Sequence, residues 1–427
     1  MKPAIVCVDD EAIVLDSLRE QLRRQFGQQY VIEGAHDSAE ALEIIEELHT
    51  RGHPIPVVLS DHIMPGMRGD QLLIAVHERL PRTRKILLTG QAGADAVGNI
   101  VNLGALYRYI AKPWDKDDLA LTIREAVRSF DREEQVERQH AAGLRFVPVE
   151  FLRLLGRERI DEVSLHDHVE LRLSVLFSDI RSYTSLVEGK TPQETFDFIN
   201  EYLSHMEPTI REEGGFIDTF SGDGVMALYE GSADRAVRSG LAQLRALDRF
   251  NEALAARGHP TIRIGVGINT GPLMLGVIGG RERLKPGVTG DPVNVAARVE
   301  TFCKQVGASL LVSENTVAAL DDASAFALRP VGRVRFKGKT RPLLVHEVLD
   351  ALPEAERARK LATRGDLIAG RDEMLASRPE RALVRFTSAR EKDPSDPVLS
   401  RHVALCQRFL DEGMPSDWDG ATNLEEK

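Results

Sequence analysis

The sequence predicts a multidomain α/β protein: a doubly wound parallel sheet, then a ferredoxin-like α+β domain, then a small α-helical tail. Three observations predict this. At 427 residues the chain exceeds one ordinary domain. Over roughly the first 120 residues short apolar runs alternate with amphipathic stretches, the pattern of a repeating strand-helix unit. From Leu171 the pattern restarts as strand, helix, strand, strand, helix, strand, the order of a ferredoxin-like core.

Composition narrows the class. Hydrophobic residues make up 42% and charged residues 28%, which suits a globular chain. A net charge of -11 without a long Lys/Arg block argues against nucleic acid or an anionic membrane as partner. Cys7, Cys303 and Cys406 are odd in number and far apart, so neither a disulfide framework nor a zinc site is expected. The opening MKPAIVCVDDEA has no signal-peptide pattern, and no apolar run approaches ~18 residues. These features lead us to expect a cytoplasmic protein with no membrane insertion.

In the first domain, AIVCV, PVVLSD, KILLTG and LYRYIAKPW read as strands and AIVLDSLREQLRRQF as a helix. Chemistry in doubly wound sheets gathers at the carboxyl ends of the strands. Those ends carry Asp9 and Asp10, then Asp61, Thr89 and Lys112. Converging carboxylates repel unless a cation sits among them, and hard oxygen ligands suit Mg2+. With a hydroxyl and an ammonium opposite, the set describes Mg2+-assisted phosphoryl transfer onto a carboxylate. A single strand-end acid is more often a helix cap; five positions in order are not explained that way.

Through VDDE, LSDHIMPGMRGD, LLTG and YIAKPW, residues 1–125 resemble the receiver domain of two-component response regulators, a flavodoxin-like fold. The resemblance implies that Asp61 accepts phosphate from a cognate histidine kinase and that Asp9 and Asp10, with Asp61, hold Mg2+. Thr89 and Lys112 would contact the phosphoryl group. Tyr109 has two readings, the aromatic that reorients on activation or a half-buried strand residue.

Residues 126–169 connect the domains. LALTIREAVRSF carries Leu119, Ile123, Val127 and Phe130 on one stripe and closes the first domain. The polar DREEQVERQHAAG reads as a solvated linker helix, or as a short coiled coil with Val136 in its seam. RFVPVEFLRLLG restores a stripe of Phe146, Val149, Leu152 and Leu155, which needs a covering surface, a second copy or the next domain.

In the middle domain LRLSVLFSDI is a strand bearing Asp179 near its end. A helix follows with Thr191 as cap and Pro192 in its first turn. GGFIDTFSGDGVMALY is then a hairpin with Asp223 at its tip. Period-two alternation puts Ile217, Thr219 and Ser221 on one face against Phe216, Asp218 and Phe220. In a ferredoxin-like core the first strand lies between the hairpin and the last strand TIRIGVGINTG, which brings Asp179 beside Asp223. Two carboxylates at adjoining strand ends can hold one or two Mg2+ bridged by a nucleoside triphosphate. Further on, Asn294 and Arg298 stand four apart on one helix face, suited to a sugar and a phosphate. RFKGKTRP adds Lys337.

Through VLFSDIRSYTSL, GGFIDTFSGDGVMAL, GVTGDPVNVAARVE and FKGK, residues 170–350 resemble the catalytic domain of class III nucleotidyl cyclases. FVPVEFLRLLG and the stretch after it look like the transducer segment that precedes many bacterial members. The family implies Mg2+, with Mn2+ as a substitute, at Asp179 and Asp223, assisted by the Ile180 carbonyl. It implies that Asn294 orients the ribose, Arg298 stabilises the transition-state phosphate and Lys337 contacts the triphosphate. The reaction implied is attack of a 3′-hydroxyl on the α-phosphate, giving a cyclic nucleotide and pyrophosphate. In the family the metal ligands come from one subunit and the Asn and Arg equivalents from the other, so a homodimer is implied.

The purine-reading positions depart from the family, which commonly uses Lys with Asp or Thr for ATP and Glu with Cys for GTP. The motif spacing puts Thr219 and Gly287 there. A missing hydrogen-bond partner costs on the order of 1–3 kcal/mol, so discrimination can be lost without loss of the chemistry. Three outcomes stay open: ATP cyclisation, favoured here on family frequency; GTP or relaxed purine use; or a catalytically silent nucleotide-binding or scaffolding response regulator.

In the tail, residues 351–427, the stretch ~353–412 is helical in pattern, faintly like one tetratricopeptide-type pair with no second copy at a ~34-residue period. One such unit needs another surface to pack on, and Trp418 is its candidate anchor.

Overall fold

The computed structural model describes residues 1–90, 106–280, 282–336 and 341–424. Two units make up the chain, Met1–Gly143 and Leu144–Lys427.

The first unit runs β1 (Ala4–Val8), α1 (Ala12–Phe26), β2 (Val31–Ala35), α2 (Ser38–Thr50), β3 (Val57–Asp61), α3 (Gly69–Arg79), β4 (Arg84–Thr89), β5 (Arg108–Ala111) and α4 (Lys116–Gly143). Its strands form a parallel sheet in the order β2-β1-β3-β4-β5. β1 and β3 are buried at every position, which is why they read as unbroken apolar runs. Leu18 and Ile123 pack on one face of the sheet, Ile45 and Leu72 on the other. β2 was not anticipated: Glu33 and Gly34 interrupt its apolar run, and it is only half-buried at the sheet edge. α4 closes the unit through Leu119, Ile123, Val127 and Phe130 and continues unbroken through the polar stretch, burying nothing beyond Phe130.

The second unit begins with α5 (Val149–Leu154), β6 (His168–Ile180), α6 (Tyr183–Val187), α7 (Pro192–Glu212), β7 (Gly215–Ser221), β8 (Gly224–Glu230), α8 (Asp234–Ala256), β9 (Ile264–Gly279) and β10 (Leu284–Thr289). It continues with α9 (Asp291–Val306), β11 (Leu310–Ser313), α10 (Glu314–Val317), β12 (Leu328–Phe336), β13 (Leu343–Val348), α11 (Glu354–Leu375), α12 (Pro379–Lys392), α13 (Pro397–Glu412) and β14 (Ala421–Leu424). The sheet order is β14-β12-β13-β11-β9-β6-β8-β7, with β10 paired to β9 off this path. β6 lies between β8 and β9, as a ferredoxin-like core requires.

Thr191 caps α7 through a reciprocal bond with Glu194, and Pro192 opens the helix. One sheet face is covered by α7 and α8, where Tyr202, Met206 and Phe250 meet Leu176 and Ile268. Phe151 and Leu152 cover part of the other face, against Leu173, Leu228 and Ala296. Of the expected stripe, Leu152 is buried and Leu155 packs against this cluster, but Phe146 is 85% and Val149 53% exposed, and Phe151 is buried instead. The helix starts only at Val149, after Pro148, so a helical period counted through Phe146 crosses a bend.

α9 lies directly on β9. A side chain at Gly267 would place its Cβ 2.1 Å from the Glu300 nitrogen, so glycine permits the close seating. The tail helices α11 to α13 pack on α9 and the sheet, Phe386 and Val403 meeting Phe302 and Val331. β14 then adds a parallel strand to β12. Trp418 anchors this end, edge-on to Phe409 and donating Nε1–H to the Ala421 carbonyl at 2.9 Å. A buried ionic network ties tail to sheet. Arg329 of β12 pairs with Glu347 of β13 at 2.9 Å and with Asp396 at the start of α13, and Lys360 of α11 reaches Glu347 at 2.6 Å. Among the described residues no helix is long and apolar enough to cross a membrane.

Candidate functional site

In the first unit the carboxyl ends of β1, β3, β4 and β5 meet at one sheet edge. Asp9 is fully buried, and its Oδ1 accepts the Glu11 N–H at 3.1 Å. Asp61 ends β3 and accepts the Ile63 N–H at 3.0 Å. Lys112 joins them, with Nζ 2.7 Å from Asp9 Oδ2 and paired to Asp61. Burial disfavours the ammonium, but hydrogen bonds to Asp61 and Asp9 hold it above the usual lysine range. Thr89 is buried at the end of β4, Asp10 is exposed beside Asp9, and Tyr109 is 50% exposed on β5. A carboxylate pair bridged by one ammonium, with a hydroxyl at the same edge, fits a hard cation and a phosphoryl group.

In the second unit the hairpin turn holds Asp223 against the end of β6. Gly222 takes φ +66°, which lets the turn close in two residues. Asp223 Oδ2 accepts the Ile180 N–H at 3.1 Å. Ile180, expected to lend its carbonyl, thus also positions the acid through its amide. Asp179 Oδ1 lies 3.2 Å from where a Cβ on Gly224 would stand, so the carboxylate is held beside the hairpin. Burial first, then the hydrogen bond and charge of Asp223, push Asp179 well above the usual carboxylate range. Two half-buried carboxylates side by side at adjoining strand ends fit a divalent cation whose remaining ligands would be water and phosphate oxygens.

α9 carries the other predicted groups. Asn294 is exposed, and Arg298, four residues on, is half-buried and engaged with a neighbour. Glu300 is turned the other way. It approaches Gly265, the β9 partner of Asp179, and burial together with Asp179 raises it to about 7. Sequence reasoning missed Glu300, although it ends the quoted GVTGDPVNVAARVE. It also missed Arg181, which follows the SDI run and donates to the Ala308 carbonyl. Lys337 lies outside the described residues.

The hairpin face differs from expectation. Ile217 pairs with Ala227, but Thr219 pairs with Met226, leaving Asp218 as an extra residue in a β-bulge. The bulge breaks the alternation. Thr219 therefore shares a face with Phe216 and Met226, and Ile217 lies on the face of Ala227. Thr219 Oγ1 accepts a hydrogen bond from Lys285 Nζ of β10 at 3.3 Å. Burial raises Asp218 to about 6, opposed by the charge of Lys285. At Gly287 a Cβ would stand 3.2 Å from Ile278 Cδ1, so Ile278 takes part of the space a side chain would use. Lys285 was also missed. Its signal is alternation, which puts it two residues from Gly287 on the same strand face.

Residues 5–124 match the response regulator receiver domain, and residues 166–349 match the adenylate and guanylate cyclase catalytic domain. The chain is 38% identical over 210 residues to an adenylate cyclase of Anabaena cylindrica, covering 48% of this chain and 42% of that protein. It is 32% identical over 268 residues to the terminal-differentiation-specific adenylate cyclase of Dictyostelium discoideum, covering 61% of this chain and 12% of that one. Among solved structures it is similar to the guanylyl cyclase Cya2, with 31% identity and a TM-score of 0.38 over 42% of this chain and 92% of that one. The chain thus spans less than half the length of these two curated relatives. The protein joins a response regulator receiver domain to a member of the adenylate and guanylate cyclase catalytic-domain family.

Proposed function

We propose that the protein is a phosphorylation-regulated cyclase that converts ATP to cyclic AMP and pyrophosphate across a homodimer. The observation that carries this reading is the placement of Asp179 beside Asp223, two carboxylates at adjoining strand ends, with Asp223 held to the end of β6 by the Ile180 amide and helping to raise the proton affinity of Asp179. They would hold Mg2+, or Mn2+ in its place, and the bound cation would supply positive charge against the triphosphate and the reacting 3′-oxygen.

The chain's own residues do the rest by position and charge. Asn294 orients the ribose so that its 3′-oxygen faces the α-phosphorus. The new 3′-O–P bond forms as the bond to pyrophosphate breaks, and the 3′-hydroxyl proton passes to solvent. Arg298 meets the charge that builds on the α-phosphate, and Lys337 takes the leaving triphosphate end.

Helix geometry supports a site shared between two copies. Asn294 and Arg298 lie about 40° apart around α9, whereas Glu300 sits about 200° beyond Arg298 at roughly 100° per residue. The Glu300 side of α9 faces its own Asp179 strand. The Asn294 and Arg298 side faces away, toward where a two-fold partner would present its acids.

In the first unit Asp61 accepts the phosphoryl group from a histidine kinase. Lys112 and Thr89 contact it, Asp9 and Asp10 with Asp61 would hold Mg2+, which would offset the phosphoryl charge, and Tyr109 responds. Phosphorylation then biases how two catalytic domains align.

The test is turnover by purified protein with Mg2+ or Mn2+, offering ATP and GTP separately, with Asp179→Ala as control. Cyclic AMP that disappears in Asp179→Ala is the expected result. No cyclic product from either nucleotide, with or without phosphorylation, overturns the reading in favour of a silent nucleotide-binding protein, and cyclic GMP alone overturns its substrate.

A further inference from the structure

Thr219 and Gly287 leave an apparent gap in purine recognition, and the geometry points to what fills it. We propose that Lys285 selects the purine: its ammonium, reaching from β10 over Thr219 of β7, donates to the base, and Asp218 accepts from the exocyclic amine of adenine. This rests on the placement of Thr219 and Gly287 toward the purine given above.

Three features converge on these residues. First, Lys285 Nζ lies 3.3 Å from Thr219 Oγ1, so an ammonium already stands at the position where β7 offers only a short hydroxyl. Two strands 66 residues apart in sequence share one recognition spot. Second, Asp218 is the extra residue of the β-bulge and immediately precedes Thr219, the residue that Lys285 contacts. Bulges re-aim side chains, and here the bulge sets a carboxylate next in the chain to the residue that meets the ammonium. Third, Gly287 is buried with Ile278 against it, which offers an apolar surface and no competing donor or acceptor.

The chemistry of the pair sets the preference. An ammonium only donates and a carboxylate only accepts. Adenine presents a ring-nitrogen acceptor next to an amine donor, whereas guanine carries a carbonyl acceptor where adenine has the amine. A donor beside an acceptor therefore complements adenine, and Asp218 meets the guanine carbonyl oxygen with repulsion. Thr219 spends its acceptor capacity on Lys285, so its hydroxyl reinforces the lysine's position.

The experiment compares kcat/KM for ATP and for GTP in the wild type and in Lys285→Met, Asp218→Asn and the exchange variant Lys285→Thr/Thr219→Lys. Binding of 3′-deoxy-ATP and 3′-deoxy-GTP, which lack the attacking hydroxyl, is measured alongside. We expect Lys285→Met to lower the ATP-to-GTP ratio roughly 10- to 100-fold, the loss of one charged hydrogen bond. Asp218→Asn should lower it by relieving the rejection of GTP. The exchange variant should recover most of the ratio, because an ammonium from either strand reaches the same place.

An unchanged ratio in Lys285→Met overturns the inference even where cyclic AMP is made. A wild type that binds 3′-deoxy-ATP in preference to 3′-deoxy-GTP, loses that preference in Lys285→Met and forms no cyclic product overturns the cyclase reading and leaves this one standing. A wild type that prefers GTP in turnover or in binding, or shows neither turnover nor binding, overturns the assignment of Lys285 and Asp218 to adenine.

Discussion

Gly267→Ala tests whether the seating of α9 on β9 positions the proposed catalytic pair. The added Cβ would stand 2.1 Å from the Glu300 nitrogen, 2.5 Å from its Cα and 2.8 Å from the Ala296 carbonyl oxygen. All three are backbone atoms, so no rotamer change relieves the clash. Ordinary contact needs at least 3.4 Å, so α9 must lift by about 1.3 Å at this point. Such overpacking costs about 1–3 kcal/mol, which leaves most of the protein folded. The helix carries Asn294 and Arg298, however, and a displacement near 1 Å in a positioned group can cost about 100-fold in rate. We therefore expect kcat to fall about 100-fold while the protein melts cooperatively, at a temperature lowered by only several degrees. Initial rates and a calorimetric melt on the same preparation measure both. A variant with wild-type kcat and an intact melt would refute the reasoning: α9 would not be positioning the reacting groups.

Three further outcomes follow from the same physical arguments. Arg329→Met leaves Asp396 buried without its cation and Glu347 with Lys360 alone, and removing one partner of such a network should lower the urea-unfolding free energy of the second unit by about 3–5 kcal/mol; a loss below about 1 kcal/mol would mean that the network is relieved by water. Thr191→Ala removes the capping box at the start of α7 and should cost about 1 kcal/mol, read as a shift of the unfolding midpoint with no change in its slope. Asp61→Asn should take up no phosphoryl group from acetyl phosphate by intact mass, whereas Asp10→Asn, whose carboxylate is exposed, should retain slow uptake; labelling of Asp61→Asn at the wild-type level would move the phosphoacceptor elsewhere.

The placement of most candidate site residues was legible because they sit where backbone rules are strong. Asp9, Asp61, Thr89 and Lys112 stand at the carboxyl ends of strands, and a parallel sheet brings those ends together whatever lies between them. The meeting of Asp179 with Asp223 followed from β6 lying between β8 and β9. What escaped depended on departures from periodicity or on contacts distant in sequence. β2 was hidden because an edge strand buries one side only, so Glu33 and Gly34 cost it little in the fold and erased its apolar run. The bend before Val149 left Phe146 and Val149 of the expected stripe exposed and buried Phe151 beside the expected Leu152.

The bulge at Asp218 is the instructive case, because one unpaired residue changed the face of every residue read after it. Alternation counted from Phe216 puts Thr219 beside Ile217 in a packed layer; the bulge turns it to the face of Met226, where Lys285 reaches it. The departures from the family pattern at Thr219 and Gly287 look like losses when each strand is read alone. On the proposal above they are a relocation, with β10 carrying an ammonium to the same spot. A position defined by motif spacing names a place on the backbone, while recognition depends on which atoms occupy a volume. In this fold the long arm of β9 and β10 brings a side chain from another strand to Thr219, so on the proposal above purine preference would be a property of three strand segments together and not of the two motif positions.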